Sequence, residues 1–282
     1  MNFYLTLENG NEILVKEGDD VAEFLGITKW EPPIPVSLAG EVYNAGTHLT
    51  VGYDIENFKN FPDVLWEGEE VVMTEKLHGT FCGIGILPKS GWSDKHFRGK
   101  FVVFSKGLGS QGLCFKDNDR NATNTYIQTL SRLGVLEKLE SFISMIKSDG
   151  GNITQPTYIL GEVFGKGVQD LSYAAHESDF RVFDMVVGYR GSQVYYDYDD
   201  MVNACQVMGI NTVPLIYRGP FSKKAMLSYT RGPETVSGKS LHIREGVVVK
   251  PVIERQTNDL GRVILKSVSE DYLLRKGGTE FN

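Results

Sequence analysis

Lys76 is the residue of this chain best placed by sequence to do chemistry. It lies in Thr74-Glu75-Lys76-Leu77-His78-Gly79-Thr80-Phe81, after the apolar run Val71, Val72, Met73 and before the Gly-rich run Gly83-Ile84-Gly85-Ile86. A lysine between a strand end and a glycine turn serves as a nucleophile when its surroundings favour the neutral amine. A free ammonium titrates near ~10.4, and burial or neighbouring cations bring it toward neutrality. Taken alone, the octet fits a surface hairpin equally well, so the stretches that follow must decide.

Four such stretches come in order. Tyr158-Ile159-Leu160-Gly161-Glu162-Val163-Phe164-Gly165 ends an apolar strand on a carboxylate, and Lys166-Gly167-Val168-Gln169 follows. Phe180-Arg181-Val182-Phe183-Asp184-Met185-Val186 sets an aromatic beside an acid. Arg244-Glu245-Gly246-Val247-Val248-Val249-Lys250-Pro251 carries a carboxylate and a lysine at its two ends. Arg262-Val263-Ile264-Leu265-Lys266-Ser267-Val268 carries another lysine. Singly, Glu162 and Glu245 also read as solvated strand ends, Phe183 as core, Lys250 as an edge cap and Lys266 as a snorkelling sheet residue. His78, with an ordinary imidazole near ~6.5, can donate to a phosphate, relay a proton, or simply brace a turn. His48, His96, His176 and His242 show no comparable pattern.

The elements that would position these residues are mostly strands. Short β-rich runs are expected at Val71–Thr74, Gly83–Leu87, Phe101–Ser105, Tyr158–Phe164, Phe180–Val187, Val194–Tyr196, Gly246–Val252 and Arg262–Val268. A helical segment from Asn121 to Lys147 repeats Tyr126, Leu130, Leu133, Leu136, Leu139, Phe142, Ile143 and Ile146 at three-to-four spacing, with Gly134 set to kink or divide it. A second helix is expected from Tyr198 to Met208, entered by Asp197, Asp199 and Asp200. Many strands with few helices imply an α+β fold on largely antiparallel sheets. Residues 1–60 read as an N-terminal arm or reduced module: a strand pair about Asn9-Gly10-Asn11, a short helix between Asp19 and Leu25, and the proline-broken connector Ile27-Thr28-Lys29-Trp30-Glu31-Pro32-Pro33-Ile34-Pro35. Residues 61–282 form the main domain.

Composition limits the classes of function. At 282 residues, 41% hydrophobic and 23% charged, the chain is long and ordinary enough to bury a full core. No apolar run approaches the ~20 residues that span a bilayer, and no leader pattern is present, so no membrane partner is expected. Cys82, Cys114 and Cys205 sit singly, with no zinc spacing, which suits a reducing, cytoplasmic compartment. A net charge of −7 disfavours coating of nucleic acid by a general positive field.

Jointly and in this order, the five stretches resemble motifs I, III, IIIa, IV and V of the covalent nucleotidyltransferases: RNA ligases, DNA ligases and mRNA capping enzymes. The resemblance is strongest to ATP-dependent RNA ligases of the T4 RNA ligase 2 type, which share Glu-Lys-x-His-Gly-Thr and a Gly-Glu-x-x-Gly-x-Gly-x-Gln stretch like Gly161 to Gln169. Trp30-Glu31-Pro32-Pro33 and Ser105-Lys106-Gly107-Leu108-Gly109 add features of the Deinococcus-type RNA ligases. The resemblance implies an adenylylation fold around an ATP pocket and a lysyl-AMP intermediate. It implies sealing of RNA 5′-phosphate and 3′-hydroxyl ends with Mg²⁺.

By that resemblance Lys76 is the nucleophile, His78 a catalytic partner, Lys266 the cation at the α-phosphate and Glu245 the metal ligand. Glu162 holds the ribose, Phe183 stacks on adenine with Asp184 supporting its strand, and Glu75 faces the adenine side. The group's second motif V lysine falls on Val268, so Lys250 or Lys106 is left to supply that charge. The arginine expected after Lys106 is Gly107. The alternatives are a nucleotide- or RNA-binding protein that has lost activity, and a DNA ligase or GTP-using capping enzyme. His78 and Phe164-Gly165 weigh against the latter two. With the chain ending at Asn282, extra grip on RNA is expected from elsewhere, a protein partner included.

Overall fold

The computed structural model describes residues 2–6, 12–16, 21, 41–151 and 153–276. They fall into two compact units, Met1–Pro35 and Val36–Asn282. In the smaller unit, β1 (Asn2–Thr6) pairs antiparallel with β2 (Glu12–Lys16), from Asn2↔Lys16 to Thr6↔Glu12. The Asn9-Gly10-Asn11 turn, the helix between Asp19 and Leu25, and the Pro-rich connector lie outside the described residues. The sequence reading set a division near residue 60, whereas Val42, Val51, Tyr53 and Phe58 are buried within the larger unit.

The strands of the larger unit begin with β3 (Val42–Asn44), β4 (Glu56–Asn57), β5 (Glu70–Lys76), β6 (Gly79–Ile86), β7 (Phe101–Ser105) and β8 (Leu113–Phe115). They continue with β9 (Thr157–Gly165), β10 (Ser178–Val187), β11 (Val194–Tyr195), β12 (Leu215–Pro220) and β13 (Gly246–Pro251). The last are β14 (Gln256–Thr257), β15 (Gly261–Arg262) and β16 (Leu265–Val268). The helices are α1 (Lys106–Ser110), α2 (Thr125–Arg132), α3 (Val135–Ser148), α4 (Tyr198–Met208), α5 (Lys223–Thr230) and α6 (Glu270–Leu273).

Two five-stranded sheets dominate, ordered β11-β10-β9-β6-β7 and β12-β5-β13-β16-β4. All their pairings are antiparallel except β16 with β4, so the α+β expectation holds. The long amphipathic stretch is two helices, because Gly134 adopts φ +63° between α2 and α3 and ends the first. Ser105 to Gly109 is the entry to α1, where the Ser105 hydroxyl accepts from the Leu108 amide. The Arg262–Val268 run is broken at Val263 and Ile264.

The second sheet shows clean alternation. Val71 and Met73 of β5, Val247 and Val249 of β13, and Leu265 of β16 share one apolar cluster with Phe221 and Met226. The intervening positions Thr74, Lys76, Val248, Lys250 and Lys266 line the opposite face. The chain then passes through Leu77 and His78 from β5 of this sheet to β6 of the other. Lys76 therefore stands at the crossing between the two sheets. On β10 the pairing with β9 slips between Val182 and Asp184, a bulge at Phe183; such a bulge re-aims the side chain it carries.

Candidate active site

The space between the sheets is a pocket of about 410 Å³. It gathers Glu75, Lys76, Lys106, Glu162, Phe183 and Asp184, and also Lys250 and Lys266. Lys76 forms an ion pair with Glu245 Oε1, Glu245 being almost wholly buried. Two glycines allow this approach. Gly246 lies opposite Lys76 in register, and a Cβ there would stand 2.1 Å from the Ser267 carbonyl. A Cβ on Gly79 would stand 2.3 Å from the Val163 carbonyl, so only glycine lets β6 run this close to β9 beside Glu162.

Glu162 is pushed up to about 8, by burial first, with Lys76 pulling down and Glu245 pushing further up. Its carboxyl is neutral at pH ~7 and can donate a hydrogen bond. Glu75 is also raised, by burial, against two hydrogen bonds from Thr235. The Thr235 amide (2.8 Å) and hydroxyl (2.6 Å) both reach Oε2. Oε1 is buried with no partner among the described residues. In an occupied pocket that oxygen can take a donor from a ligand.

Phe183 packs against Tyr53 (ring centroids 5.2 Å apart) and Phe81 (6.0 Å). Beneath it Asp184 accepts from Lys250 Nζ (2.7 Å), both terminal nitrogens of Arg262 (2.8 and 2.7 Å) and Tyr53 Oη (2.5 Å). Burial opposes the Asp184 charge, yet Arg262 and Lys250 outweigh it and hold the carboxyl well below the ordinary range. Lys250 and Arg262 are both shared with Glu254. The two cations and two carboxylates thus neutralise one another, and Lys250 is a floor residue with its charge already committed.

On the other side of the pocket, Lys106 donates to Asp54 Oδ1 at 2.8 Å. That hydrogen bond chiefly lowers the Asp54 carboxyl, and Lys266 adds a smaller pull in the same direction. Lys266 has no ion pair among the described residues, which leaves its charge available to an anion. Val268, opposite Gly246 in register, does not line the pocket and borders a groove with Lys59, Arg231 and Glu270.

His78 departs from expectation. It is 2% exposed and does not line the pocket. Asp170 Oδ1 lies 2.6 Å from its Nε2 and Tyr272 Oη lies 2.6 Å from its Nδ1. The alternation of β5 ends at Lys76, and the link to β6 takes the imidazole out of the pocket lining. It is held there between Asp170 and Tyr272.

A family model for RNA ligases matches residues 69–268. The chain belongs to the RNA ligase family. Among solved structures, Naegleria gruberi RNA ligase with PPi is 22% identical, with a TM-score of 0.60, covering 96% of this chain and 74% of that one. A mutant of the same ligase with AMP and Mn is 21% identical (TM-score 0.60; 96% and 75% covered), and a mutant with ATP and Mn is 20% identical (TM-score 0.59; 96% and 76%). At that identity these likenesses speak for the fold. By sequence, no curated protein matches the chain.

For an RNA ligase, a divalent metal is the implied companion of the pocket. Glu245, beside Lys76 at the strand crossing, offers hard oxygen donors. Among the described residues no three His, Cys, Asp or Glu side chains gather into a ready-made cage. That donor set fits magnesium, which keeps several waters and takes its remaining oxygens from substrate phosphates.

Several residues of the site escaped sequence reasoning. Tyr53 and Asp54 come from a segment read as part of the arm, and their one signal is an aromatic–acid pair like Phe183-Asp184. Thr235, Asp170 and Tyr272 carry no local signal at all. Cys82, Cys114 and Cys205 are free and buried, and no helix among the described residues is long and apolar enough to cross a membrane.

Proposed function

We propose that this RNA ligase uses ATP, forms lysyl-AMP on Lys76, and seals RNA 5′-phosphate to 3′-hydroxyl ends, as in the repair of RNA breaks. The observation that carries the reading is Lys76 itself. It is held at the crossing of the two sheets, ion-paired to Glu245, in a pocket with an aromatic wall and an available cation.

In the first step the Lys76 amine attacks the α-phosphorus. A P–N bond forms, the bond to the bridging oxygen breaks, and pyrophosphate leaves. Glu245 Oε1, already on the Lys76 ammonium, is placed to take the proton that the amine must lose. In the second step an oxygen of the RNA 5′-phosphate attacks the same phosphorus and the P–N bond breaks, which regenerates Lys76 and gives an A(5′)pp(5′)RNA end. In the third, a 3′-hydroxyl attacks the 5′-phosphate and AMP leaves. All three are in-line displacements in which positioning and charge neutralisation supply most of the acceleration.

The remaining residues bind and orient. Phe183 offers a stacking face to adenine, and the orphan Glu75 Oε1 accepts from its exocyclic amine. Neutral Glu162 donates to a ribose hydroxyl. Lys266 and Lys106 face the phosphates, Lys106 exchanging Asp54 for the triphosphate. Glu245 and phosphate oxygens would hold Mg²⁺, whose charge favours the neutral amine and offsets charge building on the phosphates. Valine at 268 is no objection to activity, because that position lies outside the nucleotide pocket.

The test is incubation with labelled ATP and Mg²⁺. An acid-labile, alkali-stable adduct is expected on the wild type and none on Lys76→Ala, assayed at a temperature where circular dichroism shows the variant folded, because the change leaves Glu245 without its cation. An adduct on Lys76→Ala would defeat the reading.

A further inference from the structure

Behind Lys76 runs a network, buried at His78 and Tyr272 and reaching the surface at Asp170 and Arg275, that the three displacements leave unused. Arg275 Nε and Nη2 each lie 3.1 Å from a different oxygen of Asp170. The Arg275 guanidinium stacks over the Tyr272 ring at 3.7 Å. Asp170 and Tyr272 hold the two ring nitrogens of His78, each at 2.6 Å, and the His78 amide donates to Tyr173 Oη at 2.7 Å. Tyr272 is 0% and His78 2% exposed, while Asp170 and Arg275 close the network from the surface.

The geometry limits the proton arrangement. A carboxylate only accepts, so Nε2 carries the hydrogen that points to Asp170; in the neutral ring Nδ1 is then left with a lone pair, and Tyr272 donates to it. The network also touches the machinery. Glu245 Oε2 is 4.0 Å from His78 Nδ1, and the Ser269 amide, just before α6, donates to the Glu245 carbonyl at 2.8 Å. One short helix therefore grips Glu245 by its backbone and His78 by the Tyr272 hydroxyl.

We infer that Tyr272, with Asp170 and Arg275, is a positioning device for the ligase reaction: it locks His78 in one orientation and one tautomer, and the ring so fixed limits by packing where the Glu245 carboxylate can stand beside Lys76. This rests on the adenylylation reading above. It assigns α6 and the residues next to it a role in rate, although Tyr272, Asp170 and Arg275 all lie outside the pocket. It also explains why a histidine at position 78 is kept from the phosphates: the ring is a spacer with two fixed ends.

Tyr272→Phe removes one oxygen and keeps the ring beneath Arg275. In single-turnover adenylylation its rate constant at saturating ATP should fall about ten- to a hundredfold, the usual range for losing an outer hydrogen-bond partner. Half-saturation by ATP should stay within about twofold, since no ATP contact is removed. Asp170→Asn should fall similarly, and the double variant little further, because both act through one ring. Leu274→Ala, on an exposed side chain beside the same helix, should keep the wild-type rate. A wild-type rate in Tyr272→Phe, or a loss confined to ATP half-saturation, overturns the inference, as do losses that simply add in the double variant. Nitrogen-15 NMR of His78 in the ATP-free protein gives a readout independent of activity. A proton on Nε2 that shifts toward the other tautomer in Asp170→Asn supports the brace; a proton on Nδ1 in the wild type sinks it. If the wild type formed no adduct the ligase reading would fail, while the NMR arm would still decide the brace.

Discussion

Glu162→Gln should stabilise the ATP-free protein increasingly as pH rises. In the folded state the Glu162 carboxyl is pushed from 4.5 to about 8, chiefly by burial. The sign follows from proton counting. Between those two values the folded protein keeps a proton that the unfolded chain has released, so wild-type stability falls as pH climbs through the interval and levels off above about 8. Each pH unit of displacement corresponds to ~1.4 kcal/mol, which puts the ceiling near ~5 kcal/mol. Glu162 lines an open pocket, where water relieves part of the penalty, so a difference of about 2–4 kcal/mol is expected. Glutamine keeps the shape and a donor but cannot ionise, so it escapes the penalty. The assay is urea unfolding of both proteins from about pH 5 to about pH 9, comparing midpoints at unchanged slope. The two curves should lie nearly parallel near pH ~5 and separate progressively toward pH ~8, the variant gaining. A difference independent of pH, or one that narrows, would refute the assignment of Glu162 as a neutral donor.

Phe183→Ala should weaken ATP binding by about 1–3 kcal/mol in calorimetric titration, the usual worth of an aromatic–base stack; unchanged affinity would return Phe183 to the core. Lys250→Met should cost about 3–5 kcal/mol in denaturant unfolding by leaving Asp184 and Glu254 to share Arg262 alone, and a neutral result would show that the cluster tolerates an unbalanced charge. Lys266→Ala should lose adenylylation almost completely in single-turnover assays, because Lys250 is already paired and cannot replace it. Val268→Lys should not rescue that loss, since position 268 does not line the pocket and borders a groove with Lys59, Arg231 and Glu270; rescue would show that a lysine there reaches the phosphates from β16.

Much of the chemistry was legible in sequence because it is written locally. A lysine at a strand end, a glycine allowing a close approach, and an alternation that puts Val247 and Val249 on one face with Val248 and Lys250 on the other all follow from short-range sterics and the two-residue period of a strand. The break at Gly134 is likewise local, a backbone conformation that glycine adopts without penalty. The fate of each charged side chain was not local. Tyr53 meets Asp184 across 131 residues and Tyr272 meets His78 across 194. Such meetings depend on which strands lie side by side and on where the chain crosses from one sheet to the other. Sequence alone set Lys266 at the α-phosphate, offered Lys250 or Lys106 for a second charge there, and gave His78 a catalytic role by resemblance. Only the tertiary structure neutralised Lys250 against Asp184 and Glu254, left Lys266 facing the pocket, and turned His78 inward. A buried charge must find its partners wherever the fold places them, and those partners came from distant segments that no nearby pattern announced.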